Sequence, residues 1–275
     1  MSEILHGKQL ASVVREKVAK QLKKYKTPLG LAAILVGNNP ASKLYVSLKE
    51  QAAKEIGMYF ERYDMPSRVS QKELTELIKK LNAREDIHGI LVQFPLPNQN
   101  EDKIVSAIDP KKDVDGFHIT NRKTWSIGKQ TLFPPVALAI MELIEASHQP
   151  LNGKQAVIIG NSDLFAQPIG ILLKKQGIEM MRLSPSESAI ASKIRTADIV
   201  IVAVGKPDFL TGDMIKNGAI VIDVGTNKKD GKNVGDIAES VKNIAGFISP
   251  VPGGVGPLTV AYLLQNVITA AKLQN

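Results

Sequence analysis

Apolar positions along the chain switch repeatedly between a helical period and a strand period, with no internal repeat and no low-complexity tract. Leu10, Val13, Val14, Val18 and Leu22 mark one face of a first helix, and Leu29 to Val36 is an unbroken apolar run that predicts a buried strand. Asn39 or Ser42 can cap a second helix that Gly57 ends. Alternation over Met58 to Tyr63 predicts a strand, and Ser70 with Glu73 forms a capping box that opens a helix through Leu81. The next strand, His88 to Phe94, runs into Pro95 and Pro97 and must stop there. That places Gln93 near the carboxyl end of a parallel sheet, where open α/β sheets bind their ligands.

After a weakly patterned stretch from Asp113 to Pro135 a second series begins. Lys154 to Gly160 predicts a strand, Asn161 to Ala166 a loop, and Pro168 to Gln176 a helix stopped by Gly177. Strands follow at Ile178 to Leu183, Asp198 to Val204 and Ala219 to Val224. Alternation of this kind builds parallel sheets covered by helices. The expected fold is α/β: two α/β domains with a cleft between them, the second a Rossmann-like doubly wound parallel sheet. Residues 1–131 form the first domain, completed by a returning C-terminal segment, 246–275, and residues 132–245 form the second.

Gly246 to Ala271 carries no charge and is long enough to cross a bilayer. Its first half, Ser249 to Pro257, is too rich in proline and glycine for a lipid-exposed helix, so only Leu258 to Leu273 reads as a helix, a buried one. No membrane partner is expected. The chain has 275 residues and a formal net charge of +8, from 35 Lys and Arg against 27 Asp and Glu. With 44% apolar residues it has material for a core and is no disordered arm. The basic excess is spread out, which fits attraction of small anions better than a nucleic-acid partner. Cysteine is absent, which removes thiolate nucleophiles and thiolate metal sites and suits a reducing compartment. The start of the chain has no apolar run behind a basic stretch, so a cytoplasmic location is expected.

Several residues can carry chemistry. Tyr45 and Lys49 stand four apart and share a helix face, where a phenol and an amine can position a flat substrate and move a proton; a surface pair is the plainer alternative. Gln93 is a polar side chain in an apolar strand and can bond a reactive amine or close a sheet edge. Asp113 and Asp115 face one side if extended, as a metal pair, a cap, or an acceptor for a ring rich in N–H groups. No cluster with metal-ligand spacing accompanies them, so no metal is expected. Gly160 between a strand and a helix suits a pyrophosphate, though an ordinary βα turn looks the same. Three prolines and three glycines between Pro252 and its flanks, Pro250 to Pro257, make a stiff loop that a ligand can approach closely.

Taken in order, the motifs resemble the methylenetetrahydrofolate dehydrogenase/cyclohydrolase family. They are Ser42-x-x-Tyr45-x-x-x-Lys49 with Gly57, Gly89 to Pro97 around Gln93, Lys112-Asp113-Val114-Asp115-Gly116-Phe117, Val221 to Gly225, Gly235-Asp236, and Pro250 to Thr259. The resemblance covers nearly the whole chain. It implies hydride transfer from a methylene-bridged tetrahydrofolate to NADP, then hydrolysis of the methenyl product to formyltetrahydrofolate, in one-carbon metabolism and purine biosynthesis. It further implies Lys49 as the proton-handling group, Gln93 bonded to it, Tyr45 against the folate, and Asp115 accepting the pterin N–H groups. Pro252, Gly253 and Gly254 would line the folate site, Gly160, Asn161, Ser162 and Thr226 would hold the cofactor, and the enzyme would be a homodimer. An enzyme that keeps only the hydrolytic half, or a noncatalytic folate or nucleotide binder, is the alternative.

The chain departs from the family pattern mostly on the cofactor side. Gly160-Asn161-Ser162-Asp163-Leu164-Phe165-Ala166 lacks the family's arginine and second glycine, and Leu183-Ser184-Pro185-Ser186-Glu187 replaces its Cys-His-Ser run. A third departure is Pro134 to Ala139, in place of a Pro-Cys-Thr-Pro run. The expectation is weak NADP binding with a narrow preference over NAD, unless Arg182 or Lys206 supplies the missing charge.

Overall fold

Residues 2–127 and 131–274 are described by a computed structural model. The chain divides into two compact units, one holding residues up to Ala11 with Val136–Thr259, the other Ser12–Pro135 with the chain from Val260 onward. A two-residue strand, β1 (Glu3–Ile4), leads into helix α1 (Gly7–Leu22). Ala11, Val14 and Val18 of α1 are buried, whereas Val13, expected on the same face, is 47% exposed.

In the unit of Ser12–Pro135, the strands are β2 (Gly30–Val36), β3 (Tyr59–Met65) and β4 (Ile87–Gln93), with α2 (Pro40–Glu55) and α3 (Gln71–Asn82) as crossovers. They form a parallel sheet in the order β3-β2-β4. The central strand, β2, is buried along its whole length, which is why it reads as a continuous apolar run. Strand β3 lies at an edge, so it tolerates Glu61, Arg62 and Asp64. Ala32, Ile34, Val36, Leu74, Ile78, Ile90 and Val92 pack into one core between sheet and helix. The capping box is present: Ser70 Oγ accepts from Glu73 N at 3.1 Å, and Glu73 Oε2 accepts from Ser70 N at 2.8 Å. Two short helices, α4 (Glu101–Ala107) and α5 (Ile119–Thr124), follow in the weakly patterned region.

Helix α6 (Pro135–Glu145) precedes the other unit's sheet, built from β5 (Gln155–Gly160), α7 (Asp163–Lys175), β6 (Glu179–Leu183), α8 (Ile190–Ile194), β7 (Ile199–Ala203) and β8 (Ile220–Asp223). A small antiparallel pair, β9 (Asn227–Lys229) and β10 (Lys232–Val234), comes before β11 (Phe247–Ile248). The large sheet is wholly parallel, in the order β1-β11-β8-β7-β5-β6. Its successive strands turn one way from β5 to β6 and the other way to β7 and β8, the doubly wound arrangement with its switch point beside β5. Because β1 and β11 join this sheet, residues up to Ala11 and the segment 246–259 pack with it, where the expected division gave both to the first domain.

The predicted loop over Asn161 to Ala166 is a correction. Helix α7 already begins at Asp163, capped by Ser162, and Pro168 lies inside it. Proline prefers the first turn, which placed the expected start at Pro168, but an interior proline forfeits only one backbone bond when a cap upstream has nucleated the helix. The last helix, α9 (Val255–Gln274), is longer than expected at both ends, and its part from Val260 onward packs in the unit of β2. Among the described residues no helix is long and apolar enough to cross a membrane.

Candidate functional site

Asn39 caps α2 by accepting from Ala41 N at 2.9 Å and Ser42 N at 3.1 Å, with Pro40 as the first helical residue. The cap fixes which face of α2 turns inward. Ser42, Val46 and Ala53 are buried on it, and the same stripe, at spacings of about four, three and four residues, contains Lys49. A lysine on the inward stripe must find a partner or lose its charge. Its Nζ donates to Gln93 Oε1 at 2.8 Å, at the carboxyl end of β4. Gln93 Nε2 donates in turn to Phe94 O at 2.9 Å, which fixes the amide with its oxygen toward the amine. Burial lowers the Lys49 pKa from the ordinary lysine value, and Asp115 opposes that shift.

The loop that carries Asp115 is built by its neighbours. Lys112 Nζ donates to Asn82 O at 2.8 Å and Arg84 O at 2.6 Å, which satisfies carbonyls at the end of α3. Asp113 accepts from His118 N at 2.7 Å, Gly116 N at 3.1 Å and Asn121 Nδ2 at 3.0 Å. Asn266 of α9 donates through Nδ2 to both Val114 O and Phe133 O at 2.8 Å. Gly116 has φ +76°, and a Cβ there would come within 2.7 Å of Leu132 O, so the turn requires glycine. Between these anchors the Asp115 carboxylate makes no hydrogen bond to a described residue. Burial raises its pKa to about 6, with Lys49 acting to lower it and Asp113 to raise it. Amine and carboxylate, both half-buried, are thus each pushed toward neutrality by partial desolvation while each favours the charge of the other.

The structure therefore brings Lys49, Gln93 and Asp115 together. Tyr45, one helical turn before Lys49, is 36% exposed. Asp113 and Asp115 differ in role: Asp113 clamps the loop before α5, whose cap is His118, and Asp115 is the unbonded acceptor. No group of His, Cys, Asp and Glu suited to a metal ion occurs among the described residues.

Pro252, Gly253 and Gly254 precede α9 and belong to the unit of the large sheet. Gly253 has φ +111°, its carbonyl accepts from Lys8 N at 3.0 Å, and a Cβ on Gly7 would come within 2.0 Å of Gly254 O. This loop is as tightly seated as its composition predicts.

On the cofactor side, Gly160 ends β5, and a Cβ there would meet Ala203 O at 3.4 Å. Asn161 and Ser162 are exposed, and Ser162 Oγ accepts from Phe165 N at 3.4 Å. The amides of Asp163 and Leu164, in the first turn of α7, have no helical acceptor and make a donor set suited to a pyrophosphate. Thr226 is exposed beyond β8. Two buried carboxylates organise the neighbouring loops. Asp236 accepts from the backbone N of Val204 (2.6 Å), Gly205 (3.0 Å) and Lys206 (2.9 Å) and from Asn227 Nδ2 at 2.8 Å. Asp223 accepts from the backbone N of Gly225 (2.9 Å), Asp236 (2.9 Å) and Ile237 (3.1 Å), and burial lifts its pKa to about 6.

Sequence reasoning missed Lys112 and Asn266 as builders of the Asp115 loop. The signal for Asn266 was present: an amide inside the charge-free stretch that ends at Ala271 needs a buried partner.

Comparison with known proteins places these features in context. Residues 5–115 match the family described as "Tetrahydrofolate dehydrogenase/cyclohydrolase, catalytic domain", and residues 134–275 match its "NAD(P)-binding domain". The chain is 43% identical to the "Bifunctional protein FolD" of Acetivibrio thermocellus, over 99% of this chain and 98% of that protein. Its structure is similar to that of the bifunctional FolD methylenetetrahydrofolate dehydrogenase/cyclohydrolase of Campylobacter jejuni, with TM-score 0.95 and 39% identity over all of both chains. It is similar also to the Trypanosoma brucei enzyme complexed with NADP and an inhibitor, with TM-score 0.94 and 33% identity over 99% of this chain and 98% of that one.

Proposed function

Because the chain belongs to the tetrahydrofolate dehydrogenase/cyclohydrolase family, we propose that it oxidises methylenetetrahydrofolate to methenyltetrahydrofolate and hydrolyses that product to formyltetrahydrofolate. NADP, when bound, supplies the acceptor for the hydride that leaves the methylene carbon. Gly160, Asn161, Ser162 and Thr226, with the first turn of α7, are the groups that hold it. The observation that carries the reading is the half-buried Lys49 amine, bonded to Gln93 beside the Asp115 charge and with its pKa lowered.

In the hydrolytic step the substrate is a cation and needs a base rather than an oxyanion hole. Lys49, in its neutral form, accepts the proton that water loses as its oxygen bonds to the methenyl carbon. The same ammonium returns the proton to the ring nitrogen as its bond to that carbon breaks, while the carbinol O–H releases its proton to solvent and the formyl C=O closes. Gln93 holds the amine in place through both forms, since its Oε1 accepts one N–H from either. Asp115 accepts pterin N–H groups, and its charge keeps the Lys49 proton affinity from falling further. Tyr45 lies against the flat ring system. The domains follow the family's division of labour, folate chemistry on the unit of β2 and nicotinamide binding on the large sheet. A homodimer in the cytoplasm completes the reading, to which the lack of cysteine is suited.

The test is direct. Purified protein should form methenyltetrahydrofolate from the methylene compound with NADP and should hydrolyse added methenyltetrahydrofolate. Protein that does neither overturns the proposal.

A further inference from the structure

Arg182 lies near the end of β6, opposite Ile158 of β5 in the parallel register, and 22 residues beyond Gly160. In a doubly wound nucleotide-binding sheet, an acidic residue about 20 residues past the first glycine of the turn bonds the 2′-hydroxyl of the adenosine ribose in NAD-binding proteins, and an arginine nearby accommodates the 2′-phosphate in NADP-binding ones. The Arg182 guanidinium is already fixed over the turn. Nη1 donates to Gly160 O at 3.1 Å, and Nε stands 2.7 Å from Asp163 Oδ1. Nη2 makes no hydrogen bond to a described residue, so one arm of the fork is available. The Arg182 side chain keeps 33% of its surface and that of Asp163 keeps 84%, so this is an open site, not a buried ion pair.

Its surroundings are neutral or paired, though Glu187 also feels the Arg182 charge. Ser184 and Ser186 bond each other through their hydroxyls at 2.9 Å, and Glu187 is paired with Lys193. Lys206, the other candidate for the missing charge, follows β7 instead and is fixed there by its backbone N on Asp236. Near the β5 turn, therefore, the cation placed to meet a 2′-phosphate is Arg182, and the anion placed to compete for it is Asp163.

We propose that Arg182 is the residue that distinguishes NADP from NAD in this chain, and that Asp163 competes with the 2′-phosphate for its guanidinium. This rests on the cofactor reading above and adds to it a specificity device made by the end of β6 and the first turn of α7. The family's arginine in the loop is absent, and its charge is supplied from the next strand. The competing carboxylate makes the preference for NADP narrow, because a phosphate must displace or share a partner already in place.

Calorimetric titration with NADP and NAD, and with their fragments 2′,5′-ADP and 5′-AMP, tests the proposal without turnover. Arg182→Ala should weaken NADP and 2′,5′-ADP by about tenfold or more while NAD and 5′-AMP change little. Arg182→Gln, which keeps a donor for Gly160 O but no charge, should behave like the alanine variant. Asp163→Asn should tighten NADP by about threefold, the scale of an exposed ion pair. If Arg182→Ala weakens all four ligands equally, or if Arg182→Gln restores NADP binding, the arginine only braces the turn and the proposal is overturned. Unchanged NADP binding in Arg182→Ala overturns it as well. Wild-type protein that binds none of the four sinks the cofactor reading itself, an outcome distinct from failure of the arginine assignment.

Discussion

Two clusters of polar groups, a half-buried one at the end of β4 and a fully buried one at the end of β8, use the same chemistry to opposite ends. Asp223 and Asp236 are saturated: each accepts at least three N–H groups, and between them they tie the strand ends to the segments 204–206 and 225–237. Lys49 and Asp115 are left short. Lys49 has one hydrogen bond, to Gln93, and the Asp115 carboxylate has none to a described residue. Both side chains keep part of their surface in solvent, so water can serve the groups that the protein leaves unbonded. A saturated carboxylate builds a loop, and an unsaturated one keeps its acceptor oxygens open.

Substitutions can break that contrast from either side. The largest effect is expected at Lys49. Lys49→Met should cut methenyl hydrolysis by roughly a hundredfold to ten-thousandfold and leave thermal stability near wild type, since the amine serves the reaction and not the core. Wild-type hydrolysis rates in that variant would remove Lys49 from the chemistry.

Next comes the saturated cluster, where the loss should appear in stability. Asp236→Ala orphans four donors and should destabilise the protein by about 3 kcal/mol, read as a lower urea midpoint. An unchanged midpoint would mean that water takes over the carboxylate's bonds at little cost.

Asp115→Asn should weaken folate binding by about tenfold, since one acceptor oxygen becomes a donor facing a pterin N–H. Nicotinamide affinity should stay as it is, and equal losses for both ligands would argue for general damage. The same variant sharpens the pH dependence. Asp115, raised to about 6, gains a proton as pH falls through that region, and Lys49, with its lowered pKa, becomes protonated in the same direction. Hydrolysis should therefore fall toward acid. Removing the carboxylate also removes the charge that raises the Lys49 pKa, so the acid limb should move to lower pH in Asp115→Asn. A limb that stays in place would assign it to neither group.

Ser70→Ala is the smallest step and calibrates the others. Loss of the capping box should cost about 1 kcal/mol of stability and leave both reactions unchanged. A change in either activity would show that α3 is coupled to the site.

Local rules were legible where a single signal decides. Ser70 and Glu73 marked a helix start, the run ending at Val36 marked the central strand, and four-residue spacing put Tyr45 and Lys49 on one helix. The sequence was silent where burial is all-round or very slight. Helix α6 is buried on most sides, so it has no polar stripe to reveal its period, and α4 buries only Ile104. The site was legible as residue types but not as a division of labour. Asp113 and Asp115 look alike in sequence, and only the bonds to His118, Gly116 and Asn121 separate the loop clamp from the unbonded acceptor. Arg182 was open for the same reason: its value depends on which strand lies beside β5, a fact of topology.

The grip of Asp236 on three successive amides also has a kinetic signature. The amides of Val204, Gly205 and Lys206 share one acceptor residue, so none can open to solvent deuterium for long unless that carboxylate lets go. They should exchange as a set, with one protection factor among them, behaving as a single cooperative unit although none of the three lies in a regular element.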